Sequence, residues 1–212
     1  MSDVEVVISD FGGVLTAPMF HAFAAWQAHA GIELEQLGEA MVLATERNGE
    51  NPLFPLERGE ITEAQFNAQL SAALRETAGR EVDMDGFKDV FFQALPANEP
   101  MFDHLRALRA EGYRLALLTN NVREWEPLWR SLLPIDEIFE QVVDSAFVGM
   151  RKPDPRIYEL TLERMGGVAA ERCVFLDDLE VNVEAARALG MGGVRFVDTE
   201  QAIAELDALL GR

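Results

Sequence analysis

The apolar residues of this chain follow three regimes in succession. Val4-Glu5-Val6-Val7-Ile8-Ser9 is a short, mostly β-branched run that stops at Asp10 and is followed by Phe11-Gly12-Gly13. It predicts a buried strand ending where the backbone turns tightly. The spacing is then helical for roughly eighty residues. Phe20, Phe23, Ala24 and Gln27 follow Pro18 and precede Gly31, and a second helix is expected over Leu34 to Arg47. A loop is expected over Asn48 to Pro55. Thr62-Glu63-Ala64-Gln65 has the form of a capping box ahead of the stripe Phe66, Leu70, Ala73, Leu74, and another helix carries Phe87, Val90, Phe91 and Ala94 before Pro96.

From Pro96 onward helix and strand patterns alternate, which predicts a parallel sheet covered by helices. A helix through Met101, Leu105 and Leu108 ends at Gly112, and Tyr113 to Leu118 reads as a strand followed by Thr119-Asn120. A helix with Trp125 and Trp129 leads through Pro134 to a strand at Gln141 to Val143. Helix Pro155 to Met165 precedes strand Cys173 to Leu176, which runs into Asp177-Asp178. An Ala-rich helix to Gly190, a strand at Val194 to Val197 and a closing helix with Leu206, Leu209 and Leu210 complete the chain. One strand cannot form a core alone. The first strand is therefore expected to belong to the later sheet, giving an α/β core of residues 1–16 and 96–212 with a helical cap, 17–95, inserted after the first strand.

Composition narrows the function. With 212 residues, 49% of them hydrophobic, the chain can bury a sizeable interior. No apolar run reaches the length of a membrane span and no secretion signal is read at the start, so a cytoplasmic protein without a membrane partner is expected. Thirty-seven acidic residues against eighteen Lys and Arg give a net charge of −19, a field that repels nucleic acid. The same field disfavours a phosphorylated substrate unless a bound cation and local basic groups offset it. Cys173 is the only cysteine, which excludes an internal disulfide, and its apolar setting reads as an inert buried thiol.

Asp10, Thr119-Asn120 and Asp177-Asp178 each follow a strand directly, so in a parallel sheet all would meet at its carboxyl edge, where such sheets bind ligands. Taken singly these are also a turn aspartate, a helix cap and a solvated helix start. Taken together they suit a site that holds a divalent cation beside an anion. Asp10 and Asp178 offer hard oxygens for Mg²⁺, Thr119 can meet phosphate oxygens, and Lys152, in Gly149-Met150-Arg151-Lys152-Pro153, adds a positive charge for the same anion.

In this order, Asp10, Leu118-Thr119-Asn120, Lys152-Pro153 and Asp177-Asp178 resemble the four motifs of the haloacid dehalogenase superfamily of hydrolases, over nearly the whole chain. Asp10-Phe11-Gly12-Gly13-Val14-Leu15, Leu56-Glu57-Arg58-Gly59-Glu60-Ile61-Thr62 and Gly149 to Pro153 look most like two groups within it. These are the amino-terminal phosphatase domain of soluble epoxide hydrolases and bacterial phosphatases that include one acting on α-D-glucose 1-phosphate. The resemblance implies a Rossmann-like core with a helical cap and a Mg²⁺-dependent phosphatase of a small phosphorylated metabolite, such as a sugar phosphate. Asp10 would be the nucleophile that becomes an aspartyl-phosphate. Asp10, the Gly12 carbonyl and Asp178 would hold Mg²⁺, with Asp177 in the outer shell of the metal. Thr119, Asn120 and Lys152 would hold the phosphoryl group.

One position departs from the pattern that the resemblance implies. Gly12 stands where most family phosphatases carry a second aspartate for general acid–base work; Thr16 and His21 are possible substitutes, and cap residues His21, Trp26 and Arg47 are candidate substrate contacts. Trp26 also reads as cap core and Arg47 as a solvated helix end. Two alternatives therefore stay open beside the phosphatase: a metal-free 2-haloacid dehalogenase, and a phosphate-binding protein without turnover. A monomer or a homodimer is expected.

Overall fold

The computed structural model describes residues 3–84 and 86–212. Five strands form one parallel sheet: β1 (Val6–Ser9), β2 (Arg114–Thr119), β3 (Gln141–Asp144), β4 (Cys173–Asp177) and β5 (Gly192–Arg195), in the order β3-β2-β1-β4-β5. Pairing is in step across the sheet, with Ser9 opposite both Leu117 and Leu176, and Thr119 opposite Asp144. The strands are apolar on both faces, as a sheet covered twice requires. Val7, Leu115, Leu117, Val174 and Leu176 face one core with α6 (Glu99–Ala110) and α12 (Thr199–Leu210), while Ile8, Ala116, Leu118 and Phe175 face α10 (Pro155–Arg164) and α11 (Glu180–Ala188). This is a Rossmann-like α/β core. The chain winds from β1 through β2 and β3 on one side and then crosses to β4 and β5, so β1 and β4 flank the topological switch point.

Between β1 and α6 lie α1 (Met19–Ala30), α2 (Leu34–Asn48), α3 (Leu53–Glu57), α4 (Glu63–Thr77) and α5 (Phe87–Gln93). Capping boxes start α2, through Glu33 and Gln36, and α4, through Thr62 and Gln65. Helices α2 and α4 pack as one pair and α1 and α5 as another. Trp26 is buried in this block, its ring 5.0 Å from that of Phe87. The two connections between the block and the sheet run side by side. Thr16 forms an antiparallel bridge with Ala97, Ala17 N–H donates to the Pro96 carbonyl, and the Asn98 amide donates to the Val14 carbonyl.

Three short helices, α3, α8 (Ile135–Ile138) and α9 (Ser145–Val148), replace segments expected to be loop or strand end, and a 3-10 turn at Arg123–Trp125 precedes α7 (Glu126–Ser131). The last strand is shifted two residues earlier than the β-branched pattern at Val194 to Val197 suggests. It opens on Gly192 and Gly193, where a Cβ at Gly193 would press on Val183 and Arg187 of α11. Helix packing, rather than β propensity, selects that register. No helix among the described residues is long and apolar enough to cross a membrane.

Candidate active site

At the carboxyl edge of β1 the chain turns through Gly12 and Gly13. Asp10 N–H donates to the Leu176 carbonyl, which extends the β1–β4 pairing to the first residue beyond the strand. The Asp10 side chain is buried, and its Oδ1 accepts from Phe11 N–H at 2.7 Å. Gly13 is in the left-handed region at φ 78°, and a Cβ there would lie 2.5 Å from Asp178 Oδ2, so both the turn and the close approach of Asp178 require glycine.

Across the switch point, β4 delivers Asp177 and Asp178. Lys152 reaches in from the loop between α9 and α10, and its ammonium lies 2.8 Å from Asp10 Oδ1 and 2.6 Å from Asp177 Oδ2. Lys152 is 1% exposed and Asp177 is fully buried. The second oxygen of Asp177 accepts from Leu179 N–H and from the Asn182 amide, both at 2.9 Å. Asp177 thus spends both oxygens on protein donors, one of them Lys152.

The loop carrying Lys152 is tied to the end of β2 by Asn120. Its amide oxygen accepts from Lys152 N–H at 2.8 Å, and its amide nitrogen donates to the Lys152 carbonyl at 3.0 Å. Both polar atoms of the Asn120 side chain are thereby turned to the Lys152 backbone. Thr119, 1% exposed, has no hydrogen bond on its hydroxyl among the described residues.

Three carboxylates face one ammonium, and the balance of charge shows in their acidities. Burial drives the Asp10 carboxyl well above the usual carboxylate range, with Asp177 and Asp178 adding repulsion and Lys152 opposing it. Asp178, half-buried, is pushed up to about 6 by burial and by Asp177. Burial alone would lower the Lys152 ammonium, but Asp10 and Asp177 together outweigh it and hold the group above its ordinary range. One oxygen from each of Asp10, Asp177 and Asp178 lies within 4.8 Å of the others. A buried acid cluster with one cation too few, and a glycine where any side chain would strike Asp178, fits a divalent cation bound through hard oxygens.

The structure thus brings Asp10, Lys152, Asp177 and Asp178 into one cluster, and ties the loop of Lys152 to Asn120 beside Thr119. The two residues considered as replacements for an acid at position 12 have other surroundings. Thr16 Oγ1 accepts from Gly13 N–H and donates to the Ala17 carbonyl. His21 is exposed in the first turn of α1, its ring 4.0 Å from that of Phe20. Position 12 is instead overlain by Met19, whose Sδ lies 3.0 Å from where a Cβ of residue 12 would be. Arg47 is exposed and paired with Glu76 at 2.7 Å.

Sequence reasoning missed four residues here. Asn182 carries a signal in hindsight, an amide five residues after Asp177 in the first turn of the next helix. Asp144 ends β3, level with Thr119 and buried, and caps α9 through Ala146 N–H; it is a further acid at a strand end. Arg151 and Glu57, 94 residues apart, pair at 2.5 Å beside the Lys152 loop.

Residues 4–190 match the family model for haloacid dehalogenase-like hydrolases. The chain belongs to this family. It is 32% identical over 98% of its length to acyl-CoA dehydrogenase family member 10 of Mus musculus, covering 19% of that protein. It is 28% identical over 98% of its length to bifunctional epoxide hydrolase 2 of Rattus norvegicus, covering 39% of that protein. The chain therefore spans less than half the length of these curated relatives. A relative matched almost from end to end is sesquiterpene phosphatase astK of Aspergillus oryzae, 30% identical over 99% of this chain and 88% of that one. Among solved structures, a HAD family enzyme of Bacteroides thetaiotaomicron, in complex with magnesium and inorganic phosphate, superimposes with a TM-score of 0.69 at 23% identity, over 91% of this chain and 93% of that one. That likeness is one of fold. The family membership identifies the chain as a haloacid dehalogenase-like hydrolase.

Proposed function

We propose that this chain is a Mg²⁺-dependent phosphatase that hydrolyses a small phosphorylated metabolite, a sugar phosphate in the sharpest form of the reading, through an aspartyl-phosphate on Asp10. The observation that carries it is the Lys152 ammonium held between Asp10 and Asp177 in an otherwise acidic pocket. In a chain of net charge −19, the ammonium beside Asp10 supplies the local positive charge that an anionic substrate would need there. The magnesium complex of the Bacteroides thetaiotaomicron enzyme and the phosphatase activity in the name of the Aspergillus oryzae relative support the same reading.

Asp10, Asp178 and the Gly12 carbonyl would hold the cation, with Asp177 outside that set because Lys152, Leu179 and Asn182 already occupy its oxygens. Bound there, Mg²⁺ supplies charge that offsets the phosphoryl oxygens and the crowded carboxylates. Phe11 N–H and Lys152 fix the Asp10 carboxylate through Oδ1, and one of its oxygens would meet the cation while the other meets the phosphorus. Its attack forms an oxygen–phosphorus bond as the bond to the leaving oxygen breaks, the expelled alkoxide taking a proton from water; a second water then attacks the phosphorus, releasing inorganic phosphate and a proton and restoring the Asp10 carboxylate. Lys152, the Thr119 hydroxyl and the Asn120 backbone N–H neutralise and orient the phosphoryl oxygens. Asp177 fixes Lys152, and cap movement on the paired connections at Thr16 and Ala97 would admit substrate and exclude water.

The test is phosphate release from a panel of phosphorylated sugars and other small phosphomonoesters. Turnover is expected with Mg²⁺, lost in EDTA and lost in Asp10→Asn. Turnover indifferent to that substitution, or halide release from 2-haloacids that persists in EDTA, would overturn the assignment.

A further inference from the structure

The motif Leu56-Glu57-Arg58-Gly59 plays no part in the chemistry above, yet it joins the helical block to the loop that carries Lys152. Glu57, at the end of α3, accepts from Arg151 Nε at 2.5 Å, and the side chains are only 13% and 20% exposed. The Arg151 guanidinium also stacks over the Phe54 ring of α3 at 4.1 Å. A part-buried pair that is both hydrogen-bonded and stacked has less freedom than an exposed ion pair.

The segment that presents Glu57 is pressed onto the core by a second feature. Gly59, at φ 67°, lies so close to α9 that a Cβ would collide with the Ala146 carbonyl oxygen and come within 2.8 Å of the Arg123 guanidinium. That guanidinium donates to the same carbonyl at 2.6 Å. Farther on, Glu63 N–H donates to Glu124 of the core at 3.2 Å. Residues 54 to 63 are thus held to the core at three points.

Arg151 is bonded to Lys152, the residue that contacts Asp10. Asn120 anchors the Lys152 backbone from β2, and Glu57 anchors its neighbour from the cap side. We propose that Glu57 is a positioning residue: acting through Arg151, it fixes the loop that aims Lys152 at Asp10, so that α3 serves the catalytic core rather than the moving part of the cap. Burial raises the Glu57 carboxyl above its ordinary range even though Arg151 and, more weakly, Lys152 oppose that rise, so the pair is held in place at the cost of desolvating the acid. The inference rests on the phosphatase reading for its kinetic consequence, but its structural content can be measured without turnover.

The experiment compares wild type, Glu57→Ala, Glu57→Gln, Arg151→Ala and the double alanine variant, with Glu76→Ala as a control that breaks the exposed Arg47–Glu76 pair. Phosphomonoester kinetics with Mg²⁺ and hydrogen exchange of peptides spanning residues 149–156 are read on each. Glu57→Ala is expected to lower kcat about 10–100-fold, the usual range for groups that orient a site's direct contacts, with a smaller change in KM. The double variant should be no worse than either single one. Glu57→Gln, which keeps a hydrogen bond, should recover most of the loss, and Glu76→Ala should match wild type. Exchange across 149–156 should quicken in Glu57→Ala, in Arg151→Ala and in the double variant, and remain near wild type in Glu76→Ala. A Glu57→Ala enzyme with unchanged kcat, or strictly additive losses in the double variant, overturns the inference. Should wild type hydrolyse no phosphomonoester, the phosphatase reading fails by itself; exchange then decides the anchor, and an unchanged 149–156 segment in Glu57→Ala overturns it.

Discussion

Lys152 Nζ lies 2.6 Å from Asp177 Oδ2, a contact between the loop after α9 and the last residue of β4 in which neither side chain meets solvent. Asp177 is one of two anions that raise the Lys152 pKa, so removing its charge lowers that pKa. In Asp177→Asn the ammonium should deprotonate at a lower pH than in wild type. The alkaline limb of the pH–rate profile for phosphate release is therefore expected to move to lower pH, with kcat reduced about 10–100-fold at neutral pH. A limb that stays in place would mean that Asp177 does not govern the charge on Lys152.

Asp144 gives a stability prediction independent of catalysis. It is 5% exposed, its Oδ1 caps α9, its Oδ2 has no hydrogen-bond partner among the described residues, and burial pushes its pKa from an ordinary 3.8 to about 6. Between those values the folded chain binds more protons than the unfolded one. Stability contributed by the protonated carboxyl is present at low pH and is lost as pH rises through about 6. The penalty at pH 8 is on the order of 2–3 kcal/mol. Asp144→Asn keeps a capping oxygen and removes the charge. Urea unfolding of both proteins from pH 4 to pH 8 should show the variant gaining on wild type as pH rises, by up to about that amount; a constant difference across the range would refute the assignment.

Much of this site was legible in the sequence because its parts are local. An acid or a hydroxyl at the end of a short apolar run is placed by the strand itself, and a parallel sheet brings strand ends together without further information. Asp10, Thr119, Asp177 and Asp178 belong to this class, and so does the start of α4, which the capping box Thr62-Glu63-Ala64-Gln65 announces. What stayed hidden depends on contacts across the fold. Glu57 meets Arg151 only after α3 packs onto the core, and nothing within Leu56 to Gly59 says which cation it faces. Asn120 points its amide at the Lys152 backbone rather than outward, a choice made by a loop 32 residues later. The β5 register follows from the close approach of α11 to Gly193, where local β propensity points elsewhere.

Gly13→Ala tests the crowding at the turn after Asp10. The substitution faces two costs: alanine disfavours the φ of 78°, and its Cβ would lie 2.5 Å from Asp178 Oδ2. Asp178 must move, so the expected result is a weaker requirement-saturating response to Mg²⁺, seen as a rise in the Mg²⁺ concentration for half-maximal activity of at least about tenfold, together with a lower Tm. Wild-type Mg²⁺ dependence in a folded Gly13→Ala protein would remove Asp178 from the cation site.

Gly12 supplies no proton to a leaving group, and the space above it is taken by Met19. The atom in the way is a thioether sulfur at the far end of a flexible side chain, 3.0 Å from the ideal Cβ position, and Gly12 does not adopt a positive φ. Gly12→Asp is therefore expected to fold, with Met19 swinging aside. A well-placed general acid is typically worth about 10²–10⁴-fold, and that gain applies to alkyl phosphates, whose alkoxide leaves poorly unless protonated. Aryl phosphates, whose phenolate leaves unaided, should gain little. A plot of log kcat/KM against leaving-group pKa should consequently be steep in wild type and flatter in Gly12→Asp, and flatter again in Gly12→Asp with Met19→Ala if the sulfur restrains the new carboxyl. Equal slopes in wild type and both variants would show that proton donation in this enzyme does not pass through position 12.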